Sequence, residues 1–237
     1  MRVIRGRKAT IEADRDVSRG LLSTAAEGEP AVRVWTPHQQ VAFGRRDCRL
    51  EGYESARELA NEHGFPPIER DVGGRAVAYD GETTIAFARA EPAADFRRGT
   101  TARYERTTDA VETALRSLED DIELVRGEPT DSFCPGTHSV SQLTASGRQQ
   151  KVAGIAQRVR QDAAIVAGIV LVDNRELLAA VLGDVYDRLG VAFDPDSVGT
   201  IAAGGGPADP AVVRRVLEDA LVGDDTQALT VESLSDG

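Results

Sequence analysis

The 237-residue sequence predicts an α+β fold, a mixed and largely antiparallel sheet flanked by helices, and three observations carry that prediction. Strand-like segments with period-two alternation come in groups rather than singly. Segments with apolar residues at helical spacing fall between those groups, and glycine or proline marks the boundaries of both. A doubly wound parallel sheet would instead alternate one strand with one helix along the whole chain. Hydrophobic residues make up 41% of the chain, enough for one substantial core.

A first helix is predicted after Asp14, whose carboxylate would cap it, with Val17, Leu21, Leu22 and Ala25 inward and Gly28 just past its end. Val32 and Val34 alternate with Arg33 before Trp35, and Gln40 to Phe43 form a second extended run ending at Gly44. Tyr53, Ala56, Leu59 and Ala60 share one helical face that stops at Gly64, and Pro66-Pro67 prevents continuation. Ala76 to Tyr79, a turn at Asp80-Gly81, and Thr83 to Ala88 then read as a hairpin. Tyr104, Thr108, Val111, Leu115 and Leu118 mark the longest helix. Strands are predicted at Ile122–Val125, Ser139–Thr144, Gln150–Gln157 and Ala163–Val172, the middle pair joined through Ser146-Gly147. A further helix carries Leu177, Leu178, Val181, Leu182, Val185 and Leu189. The chain is predicted to divide into a main domain over 1–200 and a remainder over 201–237, comprising a Gly204-Gly205-Gly206-Pro207 link, a short helix over Val212–Leu221 and a loose acidic tail.

Composition narrows the function. A net charge of −11 with no basic run argues against direct binding to nucleic acid or to an anionic membrane. Cys48 and Cys134 are far apart, and His38, His63 and His138 are scattered, so neither a disulfide framework nor a metal site is predicted. The longest apolar run, Ala163 to Val172, falls well short of the roughly 20 residues that span a bilayer. Met1 to Arg7 lacks the apolar stretch of a leader, so a cytoplasmic protein is expected. With 39 carboxylates, two lysines and 5% aromatic residues, the surface suits a salt-rich cytoplasm.

Lys151 is one of those two lysines, in the glycine-flanked strand Gly147-Arg-Gln-Gln-Lys151-Val-Ala-Gly154. In an arginine-rich chain, a lysine supplies a compact charge suited to a carboxylate or oxyanion at close range. Gly73-Gly74 lets backbone approach a thioester, carboxylate or phosphate where a side chain would collide, with Arg70 and Arg75 placed to hold an anion. No GxxxxGK[ST] or GxGxxG pattern is present, which disfavours a P-loop or Rossmann site.

The segment Arg70-Asp-Val-Gly73-Gly74-Arg75-Ala76-Val77-Ala-Tyr79-Asp80 resembles a signature of the biotin/lipoate protein ligase and octanoyltransferase superfamily. Lys151-Val152-Ala-Gly154-Ile-Ala156-Gln-Arg158 resembles the second signature of that family. Weaker similarity runs from the first helix through Trp35 and Gly44-Arg45-Arg46 to Asp194-Pro-Asp-Ser-Val-Gly199. The resemblance implies a class II aminoacyl-tRNA synthetase/biotin synthetase-like sheet with a slot for an eight-carbon chain. It implies substrate contacts from Arg70, Gly73, Gly74, Arg75, Ala76, Val77, Tyr79, Asp80, Val152, Gly154 and Ala156. Three residues depart from the pattern: Glu69 replaces an arginine, Val72 a Ser/Thr, and Tyr79 the common histidine. Glu69 would add negative charge beside the anion site.

Cys134, seventeen positions before Lys151, resembles the nucleophile of the cysteine-dependent octanoyl or lipoyl transferases, which also favour arginine at the place of Arg75. The implied reaction needs no cofactor: an acyl group moves from octanoyl-carrier protein to Cys134 and then to a lysine of a lipoyl carrier domain, as in 2-oxoacid dehydrogenase or glycine-cleavage complexes. Lys151 would favour the thiolate and stabilise the oxyanion. His138, four residues on in a Pro-Gly loop, is not required. The alternative is an ATP-dependent ligase that activates lipoate or octanoate as an adenylate, with Mg and a separate accessory subunit. A non-catalytic acyl- or carrier-binding module is a third reading.

Overall fold

The computed structural model describes residues 1–70, 74–93, 99–119, 122–223 and 229–234. Its framework is an eight-stranded sheet in the order β11-β1-β2-β6-β10-β9-β8-β7. The strands are β1 (Arg2–Arg5), β2 (Ala31–Trp35), β6 (Thr84–Pro92), β7 (Leu124–Arg126), β8 (Ser139–Leu143), β9 (Gln149–Val159), β10 (Ala163–Leu171) and β11 (Thr230–Ser233). The pairs β11-β1 and β1-β2 are parallel and the others antiparallel. A second, three-stranded sheet orders β4 (Pro67–Glu69), β3 (Gln40–Phe43) and β5 (Val77–Tyr79). Both sheets are thus mixed, and the large one is mostly antiparallel, as the grouped strands predict.

Period-two alternation gives the large sheet two apolar faces. On β6, Ile85 and Phe87 enter one core and Ala86, Ala88 and Ala90 point the other way; on β10, Val166 and Val170 oppose Ile169 and Leu171. Helices α3 (Thr100–Arg116) and α5 (Pro210–Val222) cover the first face with Val111, Leu115, Val213, Leu217 and Leu221. The second face meets α1 (Ile11–Ala26) and the small sheet, which is backed by α2 (Tyr53–Glu62) and α4 (Arg175–Leu189). None of the described helices is long and apolar enough to cross a membrane.

Four local expectations change. Helix α1 starts at Ile11 with Thr10 as its cap, while Asp14 lies buried inside it and binds Arg33 and Trp35 instead of backbone at a terminus. The segments around Asp80-Gly81 do not form a hairpin: β5 pairs with β3, and β6 pairs with β2 and β10 in the other sheet. The Asp80 carboxylate accepts from the backbone N–H of Glu82, Thr83 and Thr84, which turns the chain from one sheet into the other. Leu177, predicted inward, is 46% exposed. Beyond residue 200, the predicted short helix is present as α5 and completes the core, Gly206 of the predicted link packs against Ile201 and Ile122, and β11 extends the sheet beside β1 within the predicted loose tail, of which 224–228 and 235–237 lie outside the described residues. Strand β1 itself is absent from the predicted elements because four residues carry too little alternation.

Candidate active site

Between α1, the small sheet and the second face of the large sheet lies a cavity of about 330 Å³. It crosses β2, β6, β10 and β9, about 14 Å at the usual interstrand spacing. Trp35, Ala42, Ile68, Val77, Phe133 and Ile169 give it apolar walls, and Arg70, Tyr79, Cys134 and Lys151 supply polar groups. That combination suits a ligand with an apolar tail and a reactive polar head.

A β-bulge places Lys151. Val140 pairs with Ala153 and the next residue, Ser141, pairs with Lys151, so Val152 is the extra residue. Strict alternation would send Lys151 to the face of Ala153 and Ile155, which belong to the α3/α5 core. The bulge turns it over to the face of Gly154, where its chain lies so close that a Cβ on Gly154 would be 3.2 Å from Cε. The side chain is 1% exposed. All three ammonium protons are engaged: Nζ donates to Glu128 Oε1 at 2.8 Å, to the Phe133 carbonyl at 2.9 Å and to the Cys134 carbonyl at 3.0 Å. The ammonium therefore grips the backbone on either side of the Phe133-Cys134 junction, rather than presenting a free proton to the slot.

Cys134 has a φ of 40°, a left-handed conformation that non-glycine residues rarely adopt, and it precedes Pro135, which restricts its backbone further. Its N–H donates to Tyr186 Oη at 2.7 Å, and that hydroxyl donates to the Ala76 carbonyl at 3.0 Å. Burial pushes the Tyr186 phenol up, so it stays a neutral donor. The group that meets sulfur is Arg70, whose Nη2 donates to Cys134 Sγ at 2.8 Å and also to the Arg75 carbonyl. Burial alone would pull the Arg70 guanidinium down, but its interactions with Cys134 and with the Tyr79 phenol outweigh burial and hold Arg70 above its ordinary range. A guanidinium beside a thiol stabilises negative charge on sulfur.

Glycine is required where the two strand ends converge. Gly74 has a φ of 101°, and a Cβ there would lie 2.8 Å from both Cys134 Sγ and Arg70 Nη2. Gly44 backs it, since a Cβ on Gly44 would collide with the Gly74 carbonyl. Gly74, beside the sulfur, and Lys151, at the backbone carbonyl, thus both adjoin Cys134. Gly73 and Val72 lie outside the described residues.

The remaining predicted contacts divide. Val77, Tyr79, Gly154 and Ala156 line the slot with Arg70, Cys134 and Lys151. Burial raises the Tyr79 phenol against the opposing pull of Arg70, keeping it protonated. Arg75 faces away, pairing with buried Asp47 at 3.2 Å. Ala76 and Val152 are core residues, and the Asp80 carboxylate is taken up by the inter-sheet turn and Asn174. Glu69 does not charge the slot: it accepts from Tyr53 at 2.8 Å on α2. His138 stacks on Tyr104 at 3.9 Å. Sequence reasoning missed Glu128, which follows the short strand β7 with no motif around it, and Tyr186, whose hydroxyl sits on an otherwise apolar helix face. Among the described residues no group of three or more His, Cys, Asp or Glu side chains is gathered as a metal site requires.

Residues 16–218 match the model of the lipoyl protein ligase A/B catalytic domain. An octanoyl-[GcvH]:protein N-octanoyltransferase of Exiguobacterium sibiricum is 32% identical over 69% of this chain and 57% of its own. The chain thus spans little more than half the length of that relative, and the same holds for its counterpart in Anoxybacillus flavithermus. In structure, a lipoate-protein ligase A bound with ATP superposes at a TM-score of 0.72 with 17% identity, covering 99% of this chain and 89% of the other. A bi-partite lipoate protein ligase of Thermoplasma acidophilum gives 0.67 with 15% identity, covering 99% and 87%. These neighbours share the fold, and the match over 16–218 gives the family: the chain belongs to the lipoyl protein ligase A/B catalytic domain family.

Proposed function

We propose that this protein transfers an octanoyl or lipoyl group to the lysine of a lipoyl carrier domain through a thioester on Cys134. The observation that carries the proposal is the contact of Arg70 with Cys134 Sγ at the polar end of an apolar slot. The Cys134 thiol gives up its proton to solvent, the thiolate attacks the donor's acyl carbonyl, the carrier leaves and takes up a proton from solvent, and the acyl group rests on sulfur. The neutral amine of the acceptor lysine then attacks that thioester. The Cys134 thiolate is expelled and the amine's extra proton passes to solvent, leaving an amide. Family relatives named for octanoyl transfer from GcvH to protein support both the acyl class and the carrier class. Arg70 stabilises sulfur's charge in both steps. Lys151 acts from behind the nucleophile, since its donors hold the loop.

An ATP-dependent ligase, with ATP and Mg as co-substrates and a separate accessory subunit, is the second reading, favoured by the superposition on a ligase bound with ATP. One mass-spectrometric assay separates the two. The protein is incubated with a lipoyl domain and either octanoyl-carrier protein, octanoylated glycine-cleavage carrier, or lipoate plus ATP. An octanoyl mass on the protein that disappears in Cys134→Ser supports transfer. Acceptor modified only with ATP, and equally in Cys134→Ser, establishes the ligase and overturns the Cys134 route. Binding of acyl groups with no modification at all makes the chain an acyl-binding module.

A further inference from the structure

We propose that Glu128 is a positioning residue for Cys134: it ties Lys151 to both ends of the nucleophile's loop and so keeps the thiol beside Arg70. This rests on the Cys134 reading of function and gives the buried lysine a partner and a task within it.

Glu128 receives donors from both sides of the nucleophile. Its Oε1 accepts from Lys151 Nζ at 2.8 Å and from Ser132 Oγ, and its Oε2 accepts from Gly136 N at 3.1 Å and Ser139 Oγ at 2.5 Å. Lys151 adds the carbonyls of Phe133 and Cys134. One carboxylate and one ammonium therefore grip Ser132, Phe133, Cys134, Gly136 and Ser139 together.

Such a grip is needed because the loop carries a cysteine at φ 40° immediately before a proline, a backbone state the segment would leave if released. Released, Sγ would move out of range of Arg70, which reaches it from 64 positions away in sequence. The charge on Glu128 matters as well as its shape. Lys151 is 1% exposed, so its ammonium is held by this carboxylate rather than by water. A glutamine would keep acceptor oxygen but leave that charge unmatched.

The test reads Cys134 directly and uses no acyl donor. Alkylation by iodoacetamide is followed at each cysteine by peptide mass spectrometry, from mildly acidic to alkaline pH. Cys48, whose thiol donates to the Gly44 carbonyl, is the internal control for an intact fold. The groups facing Cys134, namely Arg70, Tyr79, Tyr186 and Lys151, stay unchanged. In Glu128→Gln, Cys134 alkylation at neutral pH is expected to slow about tenfold, the effect of losing one charge-assisted hydrogen bond. Its profile should move to higher pH while that of Cys48 stays in place. Ser139→Ala leaves the ion pair intact and should shift Cys134 in the same direction by a smaller factor, which keeps the test decisive if Glu128→Gln does not fold. Wild-type profiles for Cys134 in both variants overturn the proposal. If the wild type takes no octanoyl group yet the alkylation shift appears, the functional reading falls and the positioning role stands. If the wild type transfers octanoyl and Glu128→Gln transfers at the same rate with an unmoved profile, the positioning role falls alone.

Discussion

Arg33 and Lys151 are both buried cations, 0% and 1% exposed, and each meets a carboxylate; they differ in what that carboxylate belongs to. Arg33 on β2 binds Asp14 of helix α1, along with the Ser18 hydroxyl and the Gly6 and Asp14 carbonyls, and it stacks over Trp35 at 4.2 Å. Burial holds its guanidinium below the ordinary range despite Asp14. That pair joins a helix to a strand, two elements already held by apolar packing through Leu21, Leu22 and Ala31. Lys151 binds Glu128 and two carbonyls of an irregular loop. One ion pair joins two regular elements, and the other holds the irregular loop that carries Cys134. Burial and charge alone do not distinguish a site from a scaffold; the regularity of the partner segment does.

Substitution of each cation tests that distinction. Lys151→Met should have the largest effect, because it removes about 3–5 kcal/mol of stability by stranding Glu128 and also releases the Cys134 loop. The expectation is loss of both octanoyl transfer and Cys134 alkylation in molecules that circular dichroism shows to be folded. Arg33→Met should strand Asp14 at a similar cost of about 3–5 kcal/mol in urea unfolding, yet the folded fraction should keep Cys134 alkylation at the wild-type rate and transfer octanoyl far faster than Lys151→Met, because Asp14 and Trp35 border only the apolar part of the slot. Loss of Cys134 alkylation in folded Arg33→Met would erase the contrast between the two pairs.

Two smaller changes sharpen it in the small sheet that faces Cys134. Gly74→Ala forces a Cβ against Cys134 Sγ and Arg70 at a positive φ. A cost of about 1 kcal/mol is expected in urea unfolding, with transfer falling about tenfold or more because the two groups are pushed apart. Asp80→Asn should have the smallest effect and leave the kinetics of transfer unchanged, since Asp80 serves the inter-sheet turn. Burial would raise the Asp80 carboxyl, but hydrogen bonds from Thr83, Asn174 and Thr84 outweigh burial and hold it below its ordinary value. A lowered folded value means that Asp80 stabilises the fold above its unfolded value of about 3.9, and that this contribution disappears as pH falls through the lower folded value. Wild type should therefore exceed Asp80→Asn by about 1–2 kcal/mol at neutral pH, and the gap should close in acid.

Much of the fold is legible in the sequence because its signals are local. Alternation marks Ala31–Trp35 and Gln40–Phe43, and the Tyr53, Ala56 and Ala60 face marks α2. The site is legible in part. Lys151 stands out as one of two lysines and Gly74 as one of adjacent glycines, and both stand out through family signatures. Arg70 is visible as an anion holder, but its attachment to sulfur is not, because nothing near residue 70 refers to residue 134. Arg75 and Asp80 sit in the same signature yet serve Asp47 and a turn. A motif records which residues are needed together without separating contact from support.

The sequence by itself determined the α+β class, the kinds and places of most elements, and the pair of signatures that mark the family. Their signals span a few residues, within reach of helical and strand periodicity. Only the tertiary structure decided that β5 and β6 leave the Asp80 turn for different sheets, and that a bulge at Val152 turns Lys151 toward the slot. It also decided that Glu128, 23 positions away, is the lysine's partner. Those outcomes follow from which faces bury against which, a balance struck among segments far apart in the chain that no local pattern encodes.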